Sequence, residues 1–413
     1  MRLGTSGMLV AGLIACAPAF AQSADAPLGA TVDGLIAAGR QLSPALRAAA
    51  LETAAAAAKV EGADALDDPM ISSGYQYYKD PGVFSAVTIT LSQSFPLWGK
   101  RSLRREAALA DVDAARGHER AARDELDEKI KVAYAQYYLT SREIAVNRDI
   151  GELARRMRAA ASARYGQGRG DQTSIIQAQG EETAAKTEAA RLEGERSAAG
   201  ARLNALVGRR GDAPVAEPQK LRPMPAGEPV LATLVERASA ANPILSANDA
   251  AISAARSRSS LADKAWYPDL TIGAGPLIQT NNQPVGVAAT IGFNIPVPWG
   301  REAAAQHEAA AQLGAARQRY EAAMREIEGA LGEAVAKLHA ARATEGLLQR
   351  EALPQARATF QTVLANYSQG KGDLTAAIAA EHQIHEVDLH LLQTQLDEQT
   401  SLAAIERLIG GDL

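Results

Sequence analysis

The chain has 413 residues and a formal net charge of −5, whereas nucleic-acid-binding proteins usually carry a strongly basic surface. Hydrophobic residues make up 47% of the sequence but aromatic residues only 4%, a composition typical of long helices with thin cores and not of a compact globular domain. The single cysteine excludes an intrachain disulfide and a cysteine-based metal site.

The first 21 residues have the pattern of a signal peptide and are not expected to belong to the fold. Arg2 precedes a mildly apolar run, and the run is followed by the small-x-small cleavage signal Ala19-Phe20-Ala21. A second interpretation stays open, because Leu13-Ile14-Ala15-Cys16 resembles a lipobox in which Cys16 would carry a lipid. No later segment reaches the roughly 20 apolar residues of a transmembrane helix.

Three short motifs occur twice in the chain, about 200 residues apart. The motifs are Tyr165-Gly-Gln-Gly-Arg-Gly-Asp171 with Tyr367-Ser-Gln-Gly-Lys-Gly-Asp373, Trp98-Gly-Lys with Trp299-Gly-Arg, and Ser-Pro44 with Asn-Pro243. Repetition at a fixed spacing indicates architecture before any local pattern does. We therefore expect two tandem units, each with a helix, two strands, a very long helix, a Gly-rich turn and a further helix.

Each unit is expected to contain a pair of strands followed by a long helical hairpin. The predicted boundaries are 22–207 for the first unit, with strands near 70–95 and the hairpin near 100–207, and 230–413 for the second, with strands near 267–296 and the hairpin near 300–409. Between the units, the segment 208–229 is rich in proline and is expected to be a linker packed on the outside of the helices.

Helical patterns account for most of both units. One helix is expected from Thr31 to about Gly62, and a much longer one from Leu103 to Arg164, a stretch without proline. At 1.5 Å per residue the longer helix would measure roughly 95–100 Å. Apolar residues on it recur in alternating steps of four and three, which indicates a coiled-coil seam. The seam residues are Leu126, Ile130, Ala133, Tyr137, Thr140 and Ile144.

Each unit also contains segments with a two-residue period, which is typical of strands with two different faces. The apolar face is expected to meet lipid as part of a membrane barrel, and the other face is small and polar. The predicted lipid-facing residues are Val87, Ile89, Leu91, Val287, Ile291 and Phe293. The alternative is a soluble hairpin that packs its apolar face on the helices. The residues predicted to mark the membrane interface are Trp98, Trp266, Tyr267 and Trp299.

The duplicated Gly-rich turns end the longest helices and should therefore lie far from the strands. We expect them to form the tip of the molecule and to dock a partner protein, since glycines allow a tight reversal with exposed backbone. A plain turn between two helices is the alternative. The predicted tip residues are Tyr165, Gly166, Gly168, Gly170, Asp171, Tyr367, Gly370, Gly372 and Asp373. Pro354 is predicted to be a hinge in the second long helix, because the first has no proline there.

Histidine and acidic residues recur on the last predicted helix. His382 and Glu386 are four residues apart, as are Glu381 and His385, and such pairs can hold a transition metal. A solvated polar face of an amphipathic helix is the preferred interpretation, and a weak stopping point for cations along a duct is the alternative. No metal site or cofactor is therefore predicted. The sequence lacks the Gly-x-Ser-x-Gly, phosphate-loop and His-Glu-x-x-His motifs, so no enzymatic activity is predicted either.

Strands cannot keep open edges in lipid, so membrane strands must close into a barrel. One chain would contribute four strands, which are too few, whereas three chains would contribute twelve. The predicted fold class is thus mainly α with a small membrane β-barrel, assembled as a homotrimer in contact with outer-membrane lipids.

The sequence resembles the TolC-type outer-membrane efflux proteins, most of all the branch that serves cation and heavy-metal pumps of the resistance-nodulation-division class. The resemblance rests on the duplicated Tyr-x-x-Gly-x-x-Asp turns, on Ile175-Ile176-Gln177-Ala178-Gln179, on the junctions at Trp98 and Trp299, and on Leu353-Pro354-Gln355-Ala356-Arg357. It covers essentially the whole chain after the signal peptide. It implies a trimeric twelve-strand β-barrel in the outer membrane of a Gram-negative bacterium, continued by a long periplasmic α-helical barrel whose hairpin tips meet a periplasmic adaptor.

The predicted function is a passive outer-membrane duct in a tripartite efflux system. It would carry substrates from an inner-membrane pump and a periplasmic adaptor to the outside, and the resemblance favours heavy-metal cations as substrates. Two alternatives stay open. The duct could serve drug efflux or type I protein secretion, or the chain could be a periplasmic coiled-coil scaffold without a barrel. No nucleic-acid partner is expected.

Overall fold

The computed structural model describes residues 28–77, 85–168, 170–225, 227–279, 284–369 and 371–413. The predicted signal peptide, with Cys16, and the predicted tip residue Gly370 lie outside these residues. The described chain is mostly α-helical, with few strands. None of the helices within the described ranges is long and apolar enough to cross a membrane.

The elements follow one another in the same order in both halves of the chain. The first half contains α1 (Val32–Leu42), α2 (Pro44–Ala63), β1 (Met70–Gln76), β2 (Ala86–Phe95), α3 (Lys100–Gly166) and α4 (Gln172–Leu206). The second half contains α5 (Leu231–Ala241), α6 (Pro243–Asp263), β3 (Leu270–Gln279), β4 (Gly286–Phe293), α7 (Arg301–Leu347), α8 (Leu353–Ser368) and α9 (Leu374–Ile409). A short 3-10 turn (Lys264–Trp266) precedes β3, and a π-helical segment (Leu348–Ala352) joins α7 to α8.

A proline divides the helical segment that precedes each pair of strands. The prediction of one helix over residues 31–62 is wrong, because α2 begins at Pro44 after a break at Ser43. Proline lacks a backbone N–H and disfavours the helical conformation of the residue before it, and Ser43 accordingly has φ −60° and ψ 122°. The same break separates α5 from α6 at Asn242, whose side chain caps α6.

A hydrophobic cluster near the middle of each long helix packs it against its neighbours. In the first half, α3 packs against α1 and α4 through Val32, Leu35, Leu126, Ile130, Ala133, Tyr134, Tyr137 and Leu203. In the second half, α7 packs against α5 and α9 through Leu234, Ala238, Ile327, Leu331, Ala334, Val335, Leu338, Ile405 and Leu408. Most of the predicted coiled-coil seam is therefore used for packing within one chain, and it is not evidence for an intermolecular coiled coil.

The second long helix contains one residue more than the first, and the π-helical segment accommodates it. Buried positions in the two helices correspond at a spacing of 201 residues as far as Asn147 and Leu348, whereas Ala154 corresponds to Ala356 at a spacing of 202. The π-helical segment lies immediately before Pro354. In a regular α-helix the proline ring would clash with a carbonyl group of the preceding turn. The backbone stays helical through this segment, so the proline does not break the rod.

The proline-rich linker forms hydrogen bonds with both halves of the molecule. Leu28 forms an isolated parallel bridge with Val215 near its start. The hydroxyl group of Tyr134 on α3 donates a hydrogen bond to the carbonyl oxygen of Lys220 (3.0 Å). Arg342 on α7 donates to carbonyl oxygens at the far end of the linker. The linker thus lies against the long helices of both halves.

Candidate functional site

The strands form one antiparallel sheet in the order β1-β2-β3-β4. The register places Ile71 opposite Leu91, Leu91 opposite Ala274, and Ala274 opposite Ala289. Side chains of one parity therefore share a face across the whole sheet. β1 and β4 each pair with a single neighbour among the described strands, so each presents an open edge.

All six residues predicted to meet lipid lie on the same face of this sheet. The exposed fraction is 84% for Val287, 70% for Ile291, 58% for Phe293, 53% for Leu91 and 42% for Ile89. Side chains as apolar as these are normally buried in a folded protein. Exposed apolar faces of this extent are typical of surfaces that contact a membrane or another protein.

Apart from Met70 and Leu277, the opposite face of the sheet carries small and polar residues, and the strands approach each other closely there. A Cβ atom on Gly275 would lie 1.7 Å from the carbonyl oxygen of Ile89, and one on Gly273 would lie 2.9 Å from Cγ2 of Thr90. Only glycine fits where another strand comes this close. The sheet therefore presents one apolar face and one small, polar face.

Aromatic residues gather where the strands meet the long helices. The rings of Trp98 and Tyr267 lie 5.3 Å apart between centroids, and the Trp98 indole N–H donates to a backbone carbonyl oxygen (2.8 Å). The indole N–H of Trp266 donates to the side chain of Gln306 on α7 (3.0 Å). Trp299 is 87% exposed. The four aromatic residues predicted for a membrane interface thus lie at the same end of the sheet.

A buried ion pair ties the two halves together at this junction. The ammonium group of Lys100, the first residue of α3, donates to both carboxylate oxygens of Asp269 (2.8 and 2.9 Å) and to the carbonyl oxygen of Tyr267 (2.8 Å). Asp269 also accepts a hydrogen bond from the backbone N–H of Leu97 (3.1 Å). Each charge is thus hydrogen-bonded, which a buried pair requires. The two residues lie far apart in the chain, so no local sequence pattern predicts their pairing.

Both predicted tip turns place glycine where the backbone requires it. Gly168 has a φ of 69°, in the left-handed region that other residues rarely adopt. Gly170 and Gly372 occupy equivalent positions in the two turns. A Cβ atom on either would lie 3.1 Å from a backbone nitrogen, that of Tyr165 in the first turn and of Tyr367 in the second. The reversal is therefore tight in both halves.

The two turns differ in how the following helix begins. The carboxylate of Asp171 accepts hydrogen bonds from the backbone N–H (3.1 Å) and the hydroxyl group (2.6 Å) of Ser174, and it caps α4. These hydrogen bonds hold the pKa of Asp171 below its usual range. Asp373 stands at the same position before α9, where its side chain makes no capping hydrogen bond.

The first turn contacts the second through Arg164 and Tyr367. The Arg164 guanidinium donates to the carbonyl oxygen of Tyr367 (2.9 Å) and lies 4.7 Å from the centre of the Tyr367 ring. The hydrophobic cluster beside this contact consists of Met157, Ala161, Ala178, Tyr367, Leu374 and Ala377. Tyr367 is accordingly only 7% exposed, whereas Tyr165, its counterpart in the first half, is 51% exposed. Arg164 lies outside the duplicated motifs, so the sequence gives no signal for this contact.

The histidine-rich part of α9 forms a contact between helices and does not assemble a metal site. His382 Nε2 lies 3.0 Å from a carboxylate oxygen of Glu181 on α4 and 3.8 Å from one of Glu381, whereas Glu386 is exposed. Burial lowers the pKa of His385 and raises that of Glu381, which disfavours the charged form of both. In the part of the chain that the structure describes, no group of three or more metal-binding side chains could hold an ion.

The sequence matches the family model for outer membrane efflux proteins over residues 35–209 and 234–411. The two matched ranges correspond to the two halves of the structure and leave most of the proline-rich linker unmatched. No curated protein sequence matches the chain significantly.

Several solved structures share the fold over most of their length. CusC, which undergoes conformational changes on folding and transmembrane channel formation, superimposes with a TM-score of 0.79 at 19% identity, over 92% of each chain. The outer membrane protein VceC from Vibrio cholerae gives 0.79 at 20% identity, over 92% of this chain and 96% of VceC. The outer membrane channel MtrE of Neisseria gonorrhoeae, in its open state, superimposes with a TM-score of 0.73 at 18% identity, over 92% of this chain and 89% of MtrE.

Proposed function

The chain belongs to the outer membrane efflux protein family, and we propose that three copies of it form the passive duct of a tripartite efflux system. As a family member it is a channel component of the outer membrane of a Gram-negative bacterium, and it is a transport protein and not an enzyme. The proposal adds a trimeric assembly, two partner proteins and a class of cargo.

The observation that carries the proposal is the exposed apolar face of the sheet together with its two open edges. Lipid is a suitable environment for such a face, but backbone groups at an open edge need partners there. Pairing of β1 in one copy with β4 in the next would satisfy both edges. Three copies would then close twelve strands into a barrel, with the small, polar face lining its interior.

Exposure at the hairpin tips supports the same assembly. A ring of three copies would contain two kinds of contact between tips. One kind lies within the chain, where Arg164 contacts Tyr367. The other would lie between copies, where Asn366, the counterpart of Arg164, would face Tyr165. The 51% exposure of Tyr165 in a single chain agrees with this arrangement, since only a neighbouring copy would cover it.

The long helices provide the proposed periplasmic part of the duct. α3 has 67 residues and is therefore about 100 Å long. Three copies would continue the barrel as a helical tube that ends in six tips. We assign docking of the periplasmic adaptor to these turns, where Gly166, Gly168 and Asp171 are exposed. The adaptor would connect the tube to the inner-membrane pump.

Heavy-metal cations are the proposed cargo, because the sequence resembles the branch of the family that serves cation pumps. A duct must release what passes through it, so its groups should bind cations only weakly. The His382–Glu181 pair, which lacks further ligands among the described residues, is compatible with weak contact and not with a resident metal.

Native mass measurement of the full-length protein, extracted from outer membranes in mild detergent, tests the assembly. We expect a trimer that survives extraction. A stable monomer, or recovery from the soluble periplasmic fraction, would contradict the duct and favour the scaffold alternative. The cargo is tested separately in cells that lack their own duct, by comparing the export of metal cations, a drug and a secreted protein after the chain is supplied.

A further inference from the structure

Two glutamates face each other between α7 and α9, next to the π-helical segment. Glu398 on α9 is 3% exposed, and Glu345 on α7 is partly buried. One carboxyl oxygen of Glu398, Oε1, is buried without a hydrogen-bond partner in the described chain. Burial, the charge of Glu345 and a hydrogen bond to Glu345 together raise the pKa of Glu398 to about 7. A single chain produces this burial, so the feature does not depend on the proposed trimer.

The two carboxyl groups have different surroundings. Oε1 of Glu345 accepts hydrogen bonds from the side-chain amides of Gln349 (2.9 Å) and Gln395 (3.0 Å). Such donors stabilise a carboxylate. Glu398 has no donor at Oε1, so it is the member that keeps a proton, and its O–H can donate to Glu345. Two carboxyl groups this close share one proton because both cannot ionise without strong repulsion.

A nearby cation offsets only part of the repulsion between the two carboxyl groups. Arg342, also on α7, acts on Glu398 and lowers its pKa, but less than burial and Glu345 raise it. The Arg342 guanidinium instead donates to the linker carbonyl oxygens of Gly227 (3.1 Å) and Pro225 (2.9 Å). On α9, Gln395 donates to Glu345, and Gln399 donates to the carbonyl oxygen of the linker residue Arg222, whose guanidinium pairs with Glu406 (2.6 Å).

We propose that Glu345 and Glu398 form a proton-binding site that holds α7 and α9 together beside the π-helical segment. With one proton present, an O–H···O⁻ hydrogen bond joins the two helices. Without it, two carboxylates face each other and the helices loosen. The corresponding residues in the first half are Ile144 and Arg196, so this pair is not repeated at the equivalent positions of the first hairpin.

The direction of the effect follows from linkage. The folded-state pKa of Glu398 lies above its ordinary value of 4.5, so folded protein retains the proton over a range in which unfolded protein has lost it. The stabilisation is complete below about pH 4.5 and is lost as the pH rises through about 7. Alkaline conditions should therefore loosen the second hairpin.

Hydrogen exchange on the full-length protein tests the loosening. After correction for intrinsic rates, the amides of 345–352 and 395–399 should exchange several-fold faster at about pH 8.5 than at about pH 5.5. In Glu398→Gln, whose new side chain cannot ionise, the same amides should exchange slowly at both pH values. The matched control Glu386→Gln, at an exposed site on the same helix, should keep the wild-type response. Equal corrected exchange in the wild type at both pH values, or an unchanged response in Glu398→Gln, would overturn the proposal.

Infrared difference spectra test the proton itself. The wild type should show a protonated carboxyl band that disappears with a midpoint near pH 7, and Glu398→Gln should lack it. Glu345→Gln, which keeps Glu398, should move the midpoint to lower pH because the neighbouring charge is gone. An unmoved midpoint would refute proton sharing.

The same oxygens could instead hold a divalent cation, so calcium is titrated at about pH 8.5. Saturable calcium binding by the wild type that Glu398→Gln abolishes would overturn the proton assignment. Equal heats of calcium titration in the wild type and in Glu398→Gln would support it.

Discussion

Arg164 and Tyr367 join the two helical hairpins at their tips, through a 2.9 Å hydrogen bond and a guanidinium-to-ring distance of 4.7 Å. The contact involves only one of the two duplicated tyrosines. Tyr367 is buried by it and by the neighbouring hydrophobic cluster, whereas Tyr165 stays exposed. The two turns therefore have nearly the same sequence but different roles in packing.

Arg164→Ala should loosen the tips. The substitution removes a hydrogen bond to a carbonyl group and a cation–π contact, together about 1–3 kcal/mol. If the contact helps to keep the proposed tunnel narrow, the conductance of the protein in a planar bilayer should rise. The control is Arg156→Ala, which removes an exposed arginine from the same helix together with its ion pair to Glu152 (3.6 Å). Conductance equal to wild type in Arg164→Ala would show that this contact does not restrict the tunnel.

Ile291→Lys should prevent insertion into the outer membrane. Ile291 is 70% exposed on the apolar face of the sheet, and a lysine at the bilayer midplane costs about 2–4 kcal/mol in a barrel. Thr290→Lys is the matched control, because it places the same charge on the opposite face of the same strand. The amount of each variant in the outer-membrane fraction is the measurement. Equal loss of both variants would contradict the assignment of the apolar face to lipid.

Lys100→Met should destabilise the junction between sheet and helices. It leaves the carboxylate of Asp269 partly buried without its cation, at a cost of about 3 kcal/mol. The melting temperature in detergent should fall, and adding Asp269→Asn should recover part of the loss. Lys129→Met, which removes an exposed lysine from the same helix, should change stability by less than about 0.5 kcal/mol. A double variant no more stable than Lys100→Met would argue against the buried charge as the cause.

Gly168→Pro should abolish adaptor binding while the trimer still assembles. Proline requires a negative φ, whereas Gly168 has a φ of 69°, so the turn must change shape. Co-purification with the adaptor and export in cells are the measurements. Gly180→Ala, at a helical glycine with open space around it, should behave as wild type. Normal adaptor binding by Gly168→Pro would contradict docking at this turn.

Pro354→Ala tests the predicted hinge. Alanine restores the missing backbone donor and removes the ring, which should stiffen the second hairpin and raise the resting conductance. The structure adds a second variant, deletion of Arg350, which removes the extra residue that the π-helical segment accommodates. If neither variant changes the conductance, the hinge is not part of the gating.

Local patterns in the sequence were sufficient to predict which segments form helices or strands and much of their local geometry. The two-residue period at Val287 and Ile291 predicted an apolar strand face, because side chains alternate along any strand. The cap that Asp171 forms on α4 also follows a local rule, because an aspartate directly before a helix can accept hydrogen bonds from its first N–H groups. The break at Ser43 was also within reach of the sequence, since proline restricts the residue before it, although the helical pattern on either side of Pro44 favours one continuous helix.

Only the tertiary structure decided which distant residues meet. Lys100 and Asp269, Arg164 and Tyr367, and the carboxyl pair of α7 and α9 each join segments that are far apart in sequence. Their contacts depend on how whole elements pack together, and the local periodicity of the sequence does not determine that packing. The coiled-coil seam shows the same limit. Its spacing correctly indicated a buried stripe, but α1 and α4 of the same chain cover that stripe, because a heptad pattern specifies burial and not the identity of the partner.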